Sequence, residues 1–149
     1  MIVSAEDRFA VHDLFMEYVW AADTGDLDGY VATFLKEALL VDSDGRSHRG
    51  EAAIRSYAHA FLSQSNGRGR IHFFQQMTVK PEGEGLRVFS FWTVVQATAS
   101  PRETRVRSLG TCDDLCLRAE GKWRFAERRI GRWKDETAPW LFSPSPKVG

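Results

Sequence analysis

Histidine is the side chain best suited to moving protons near neutral pH, and a neighbouring carboxylate can fix which ring nitrogen holds the proton. The chain has four: His12, His48, His59 and His72. His12 and His59 fall beside the apolar stripes of helical patterns, and His48 falls in or near a short hairpin strand. No two have the spacing of a helical zinc pair. These three read as surface or internally satisfied residues. His72 lies in Arg70-Ile71-His72-Phe73-Phe74-Gln75-Gln76. Strand alternation puts His72, Phe74, Gln76 and Thr78 on one face, and Ile71, Phe73, Gln75, Met77 and Val79 on the other. A histidine among aromatics on a half-buried strand needs a polar partner. On spacing alone, a general base and a satisfied structural histidine are both open.

Asp23 is the candidate partner. It follows the apolar run Tyr18 to Ala22 at the end of a helical pattern. The helix dipole disfavours an acid there, so the position asks for a donor, which His72 would supply. The competing reading is a turn cap before Gly25. Tyr18 lies on the inward stripe of the same helix. It is either core filling or a hydroxyl that donates to a developing oxyanion. Of Asp113 and Asp114, one must point inward, to the pocket or to an arginine on a neighbouring strand. Phe34, Phe74, Trp92 and Asp113 are the candidates for the pocket lining.

These residues must be positioned by helices and long strands. Ser4 with Asp7 resembles a capping box. Val11, Leu14, Phe15, Tyr18, Val19 and Ala22 then recur with helical period, ending near Gly25. Asp26 caps a second helix that the pattern carries to about Leu35. Ala38 to Val41 reads as a strand, turned at Asp44-Gly45 and returning over Arg46 to Arg49. A third helix is predicted from about Glu51 to Leu62. Residues 70–80, 86–99, 104–118 and 122–132 read as strands longer than the usual five or six residues. Such strands twist and curl when paired. Helices first and strands after indicate α+β. The expected architecture is a cone: a curved, mostly antiparallel sheet closed by three N-terminal helices around a pocket. Residues 1–149 read as one domain, with an irregular tail over 134–149 whose Trp140, Leu141 and Phe142 should dock somewhere.

Bulk properties narrow the function. The formal net charge is zero, which points away from nucleic acid. Residues 100–134 carry ten Arg or Lys against five Asp or Glu, the pattern of a solvated strand face or a partner rim. Cys112 and Cys116, four apart in a strand, are too distant for a disulfide and too few for a metal site, so reduced core thiols are expected. No window is long and apolar enough for a signal peptide or membrane helix. A cytoplasmic protein with no membrane partner, no metal and no cofactor is expected.

At Tyr18-Val19-Trp20-Ala21-Ala22-Asp23-Thr24-Gly25-Asp26 the chain resembles the SnoaL-like proteins of the nuclear transport factor 2 superfamily. Arg49-Gly50-Glu51-Ala52-Ala53-Ile54 is similar to their entry into the third helix, and Gly121-Lys122-Trp123-Arg124-Phe125 to the start of their last strand. Within the superfamily, the pattern is nearest to the scytalone dehydratase and bile-acid 7α-dehydratase type. The resemblance implies an elimination without cofactor, on a cyclic, partly apolar substrate. His72 would remove a proton beside a carbonyl, Asp23 would orient its ring, and Tyr18 would bind the carbonyl oxygen or leaving group. The chain departs from the scytalone enzymes in having no histidine after His72, and in placing Ser43 where one of their tyrosines is expected. Large apolar residues on both faces of the long strands point to a homo-oligomer, a trimer or dimer, and the resemblance implies a trimer. Other outcomes share the fold: a ketosteroid-isomerase-like isomerase, a non-catalytic β-subunit-like partner of a ring-hydroxylating dioxygenase, and a ligand-binding pocket protein.

Overall fold

Helix α1 spans Ala5–Thr24. The Ser4 hydroxyl accepts the Asp7 N–H at 3.0 Å and donates to the Asp7 carboxylate at 2.8 Å, so Ser4 caps the helix as one half of a capping box, with Asp7 bonded to its hydroxyl. Gly25 ends the helix in the left-handed region, at φ 78°, returning its N–H to the Ala21 carbonyl. This is a computed structural model, which describes residues 2–64, 69–97 and 103–133. The tail with Trp140, Leu141 and Phe142 lies outside the described residues.

Helix α2 is Leu27–Ala32, capped by the Asp26 carboxylate on the Gly29 N–H. It stops three residues short of the predicted end. Phe34 and Leu35 instead open strand β1, Phe34–Val41. The helical pattern was overridden by the sheet: Phe34 pairs with Phe125, whose N–H is bonded to the Thr33 carbonyl. Strand β2, Ser47–Arg49, returns antiparallel to β1, and helix α3, Glu51–Leu62, follows.

The long strands are β3 (Arg70–Glu82), β4 (Gly85–Ala97), β5 (Thr104–Ala119) and β6 (Lys122–Arg132). The sheet order is β2-β1-β6-β5-β4-β3, antiparallel throughout except that β1 and β6 run parallel. It is six-stranded, mixed and unclosed, in the α+β cone expected. Register shifts interrupt the β3/β4, β4/β5 and β5/β6 ladders, and such bulges bend a sheet.

The bulge in β3 corrects the simple alternation. Gln75 pairs with Phe91 but Thr78 pairs with Phe89, so Gln76 and Met77 share one step of β4. Gln76 takes φ 52° there. His72 and Phe74 still face inward, but beyond the bulge Met77 and Val79 are the packed residues, while Gln76 and Thr78 are exposed.

The core fills the inner face of the sheet. Val11, Leu14, Phe15 and Val19 of α1 pack with Leu86, Val88, Cys116 and Phe125. Phe15, fully buried, meets Phe74 and Phe125 edge-on at 5.3 and 5.1 Å. Its burial is worth roughly 2–3 kcal/mol, with about 0.5–1.5 more from each ring pair. Both cysteines are buried and unpaired. No helix of the described residues is long and apolar enough to cross a membrane.

Candidate functional site

The close of α1 brings Asp23 to the start of β3, and the two elements are tied there. Asp23 Oδ2 accepts the His72 backbone N–H at 2.8 Å, and Oδ1 lies 2.5 Å from His72 Nδ1. The side chains are only 15% and 17% exposed. These two donors answer the helix-dipole penalty at Asp23. A carboxylate can only accept, so Nδ1 carries the proton and the Nε2 lone pair is left to act as a base.

His72 opens on a cavity of about 590 Å³ under α3 and the inner faces of β3, β4 and β6. That volume suits a small organic ligand. Phe74, Trp92 and Tyr18 line it. The Trp92 indole donates to the Thr111 carbonyl at 3.2 Å and lies against Gly110. A Cβ at Gly110 would come within 1.9 Å of the Gly131 carbonyl oxygen and 2.6 Å of the Trp92 ring. Only glycine lets β5, β6 and the indole meet this closely.

Tyr18 is held more tightly than a free oxyanion donor. Its hydroxyl shares a hydrogen bond of 2.9 Å with Tyr30, and burial raises its pKa. When Tyr30 donates, the Tyr18 proton is available to a ligand, which makes the pair a two-hydroxyl relay. Beneath them sits Arg128, fully buried, with its guanidinium 4.1 Å from the Tyr18 ring centre and 4.4 to 5.0 Å from those of Phe125, Phe74 and Phe15. Its acidic partner is Asp114, at 3.4 Å.

Two of the expected lining residues are elsewhere. Phe34 is a core wedge, with its ring 5.4 Å from Phe125 and 5.7 Å from Tyr30, because β1 starts at this residue and buries it under α2. Asp113 points to the outer face, 42% exposed, where Arg87 pairs with it at 3.1 Å. Alternation gives the inward place to Asp114.

Sequence reasoning missed a second histidine in the cavity. His48, on β2, sets Nε2 2.8 Å from Asp42 Oδ2. Asp42 Oδ1 accepts the N–H groups of Asp44 and Arg46 at 2.9 and 3.0 Å. Burial pushes Asp42 up, but the bonds from His48, Arg46 and Asp44 outweigh it and hold the carboxyl below its ordinary value. A signal was present. In a hairpin turned at Asp44-Gly45, position 42 faces 46, and His48 is its diagonal neighbour on the same face. Tyr57 and Phe61, one helical turn apart on α3, complete the wall between the histidines. His12 and His59 are exposed. Among the described residues, no group of three or more His, Cys, Asp or Glu is arranged to hold a metal ion.

An NTF2-like protein of cystatin-like fold from Novosphingobium aromaticivorans is 20% identical, covering 91% of this chain and 89% of that one with a TM-score of 0.75. A second structure from that organism, named provisionally as a scytalone dehydratase, is 15% identical, with coverage of 86% and 85% and a TM-score of 0.74. Aln2 from a Streptomyces species is 25% identical, with coverage of 89% and 94% and a TM-score of 0.80. No curated protein matches the chain. The SnoaL-like domain profile matches residues 3–129, through the three helices, Asp23, His72 and all but the last three residues of β6, and the chain therefore belongs to the SnoaL-like domain family.

Proposed function

We propose that the chain is a cofactor-free, dehydratase-like lyase that eliminates water or a similar leaving group from a cyclic, partly apolar small molecule. The observation that carries this reading is the His72–Asp23 contact of 2.5 Å inside an aromatic-lined cavity of about 590 Å³. The family includes polyketide cyclases and dehydratases, which agrees with it. Asp23 holds the His72 ring and stabilises its cation; Nε2 takes the proton beside a carbonyl; the Tyr18–Tyr30 relay donates to the enolate oxygen.

The test is turnover of a panel of cyclic β-hydroxy ketones, followed by the absorbance of the conjugated product. His72→Ala should abolish turnover by about 10²–10⁴-fold while the circular dichroism stays unchanged. An active, folded H72A variant would sink the mechanism. Self-association is part of the same proposal: Ile71, Phe73, Phe89 and Val106 lie 44 to 60% exposed on the outer sheet face, an apolar strip suited to another copy. Light scattering that finds only monomers would remove that part.

A further inference from the structure

We infer that His48, held by Asp42, is a second catalytic residue of this cavity: the general acid that protonates the leaving group. This rests on the lyase reading. The two histidines are built alike. Each gives one ring nitrogen to a carboxylate, at 2.5 Å for His72 and 2.8 Å for His48, and each lines the cavity. The nitrogens used differ. His72 is held through Nδ1 and presents Nε2, whereas His48 is held through Nε2 and keeps Nδ1 without a protein hydrogen bond among the described residues.

A wall of rings joins them. His48 lies 4.5 Å from Tyr57, Tyr57 stacks on Phe61 at 6.0 Å and 8°, and Phe61 meets His72 at 6.2 Å, centre to centre. Both imidazoles open on the cavity that this wall bounds. The hairpin does not depend on His48. It is already closed by the two N–H bonds to Asp42 Oδ1, and by the backbone bonds Asp42 N–H to Arg46 and Gly45 N–H to Asp42. That leaves the second carboxylate oxygen to stabilise a charged imidazole, with side-chain exposures of only 7% at Asp42 and 21% at His48.

In the step, His72 Nε2 takes the proton from the carbon beside the carbonyl. The C–H pair becomes the new C=C bond, and the C–O pair departs with the leaving oxygen. That oxygen takes the Nδ1 proton of the His48 imidazolium. Water and an unsaturated ketone result, leaving His72 protonated and His48 neutral. Solvent at the open mouth then returns one proton and removes the other.

Two probes test this: 3-hydroxy-1-tetralone, whose elimination gives 1-naphthol, and its 3-(4-nitrophenoxy) analogue, whose leaving group departs as a stable anion. H48Q keeps an N–H for Asp42 but has no proton to give. It should slow the hydroxy probe by about 100-fold or more and leave the nitrophenoxy probe within about threefold of wild type. The melting temperature should be unchanged, and H72A should slow both probes. Equal losses on both probes, or none on either, would overturn the role of His48 while the lyase reading stands. A wild type that converts neither probe takes down the lyase reading and this inference with it.

Discussion

Replacing Asp114 by asparagine should change how stability depends on pH, and the buried pair with Arg128 sets the size of the change. Both side chains are 0% exposed. Neither Asp114 oxygen has a hydrogen bond among the described residues, nor have Arg128 Nε and Nη1. Burial pushes the Asp114 carboxyl up to about 7 from its ordinary 3.8, with Arg128 pulling the other way. The arginine stays charged, so the carboxyl is the member that yields. Between those two pH values the folded chain holds a proton that the unfolded chain has lost. Stability therefore falls as pH rises through the window, by about 1.4 kcal/mol per unit and on the order of 4 kcal/mol in all. Asp114→Asn cannot titrate. Its stability relative to wild type should climb by that amount from about pH 4 to pH 8. Urea unfolding followed by tryptophan fluorescence measures both proteins at each pH, and subtraction cancels every other titrating group. A gap that stays flat, or an asparagine variant that falls behind as pH rises, would refute the reasoning. It would mean that the carboxylate is ionised throughout and well satisfied by Arg128.

Asp23→Ala should lose stability as well as activity, because two donors on His72 lose their acceptor. A drop of about 2–4 kcal/mol is expected by denaturant titration, and a fully stable variant would show that the α1–β3 tie is unimportant. Gly110→Ala should destabilise by about 3 kcal/mol or more, since the added carbon meets backbone at 1.9 Å; an unchanged thermal midpoint would contradict that packing. Ser4→Ala removes the α1 cap and should cost about 1 kcal/mol, read as lower helix stability in hydrogen exchange. Tyr18→Phe should lower turnover about tenfold or more while Tyr30→Phe, one step further from the ligand, lowers it less; the reverse order would argue against the relay.

Much of this protein was set locally. The period of Val11, Leu14, Phe15, Tyr18 and Val19, the Ser4 cap and the Gly25 stop are short-range effects, and each element they specify is present. Strand lengths after Arg70, with turns at Gly83 and Gly121, likewise follow from side-chain type. The pairing of His72 with Asp23 was legible mainly through resemblance, since 49 residues separate them and the helix-dipole argument asked only for some donor at Asp23. Three things were decided by tertiary structure alone. The parallel pairing of Phe34 with Phe125 shortened α2, because long-range ladder bonds outweigh weak helical preference. The bulge at Gln76 reversed the faces of the residues beyond it, because a one-residue slip is invisible in a period-two pattern. And His48 entered the cavity because the hairpin folds back beneath α3, where Asp42 and Tyr57 receive it; no spacing in the chain says which side of a short hairpin will face a pocket made by elements still to come.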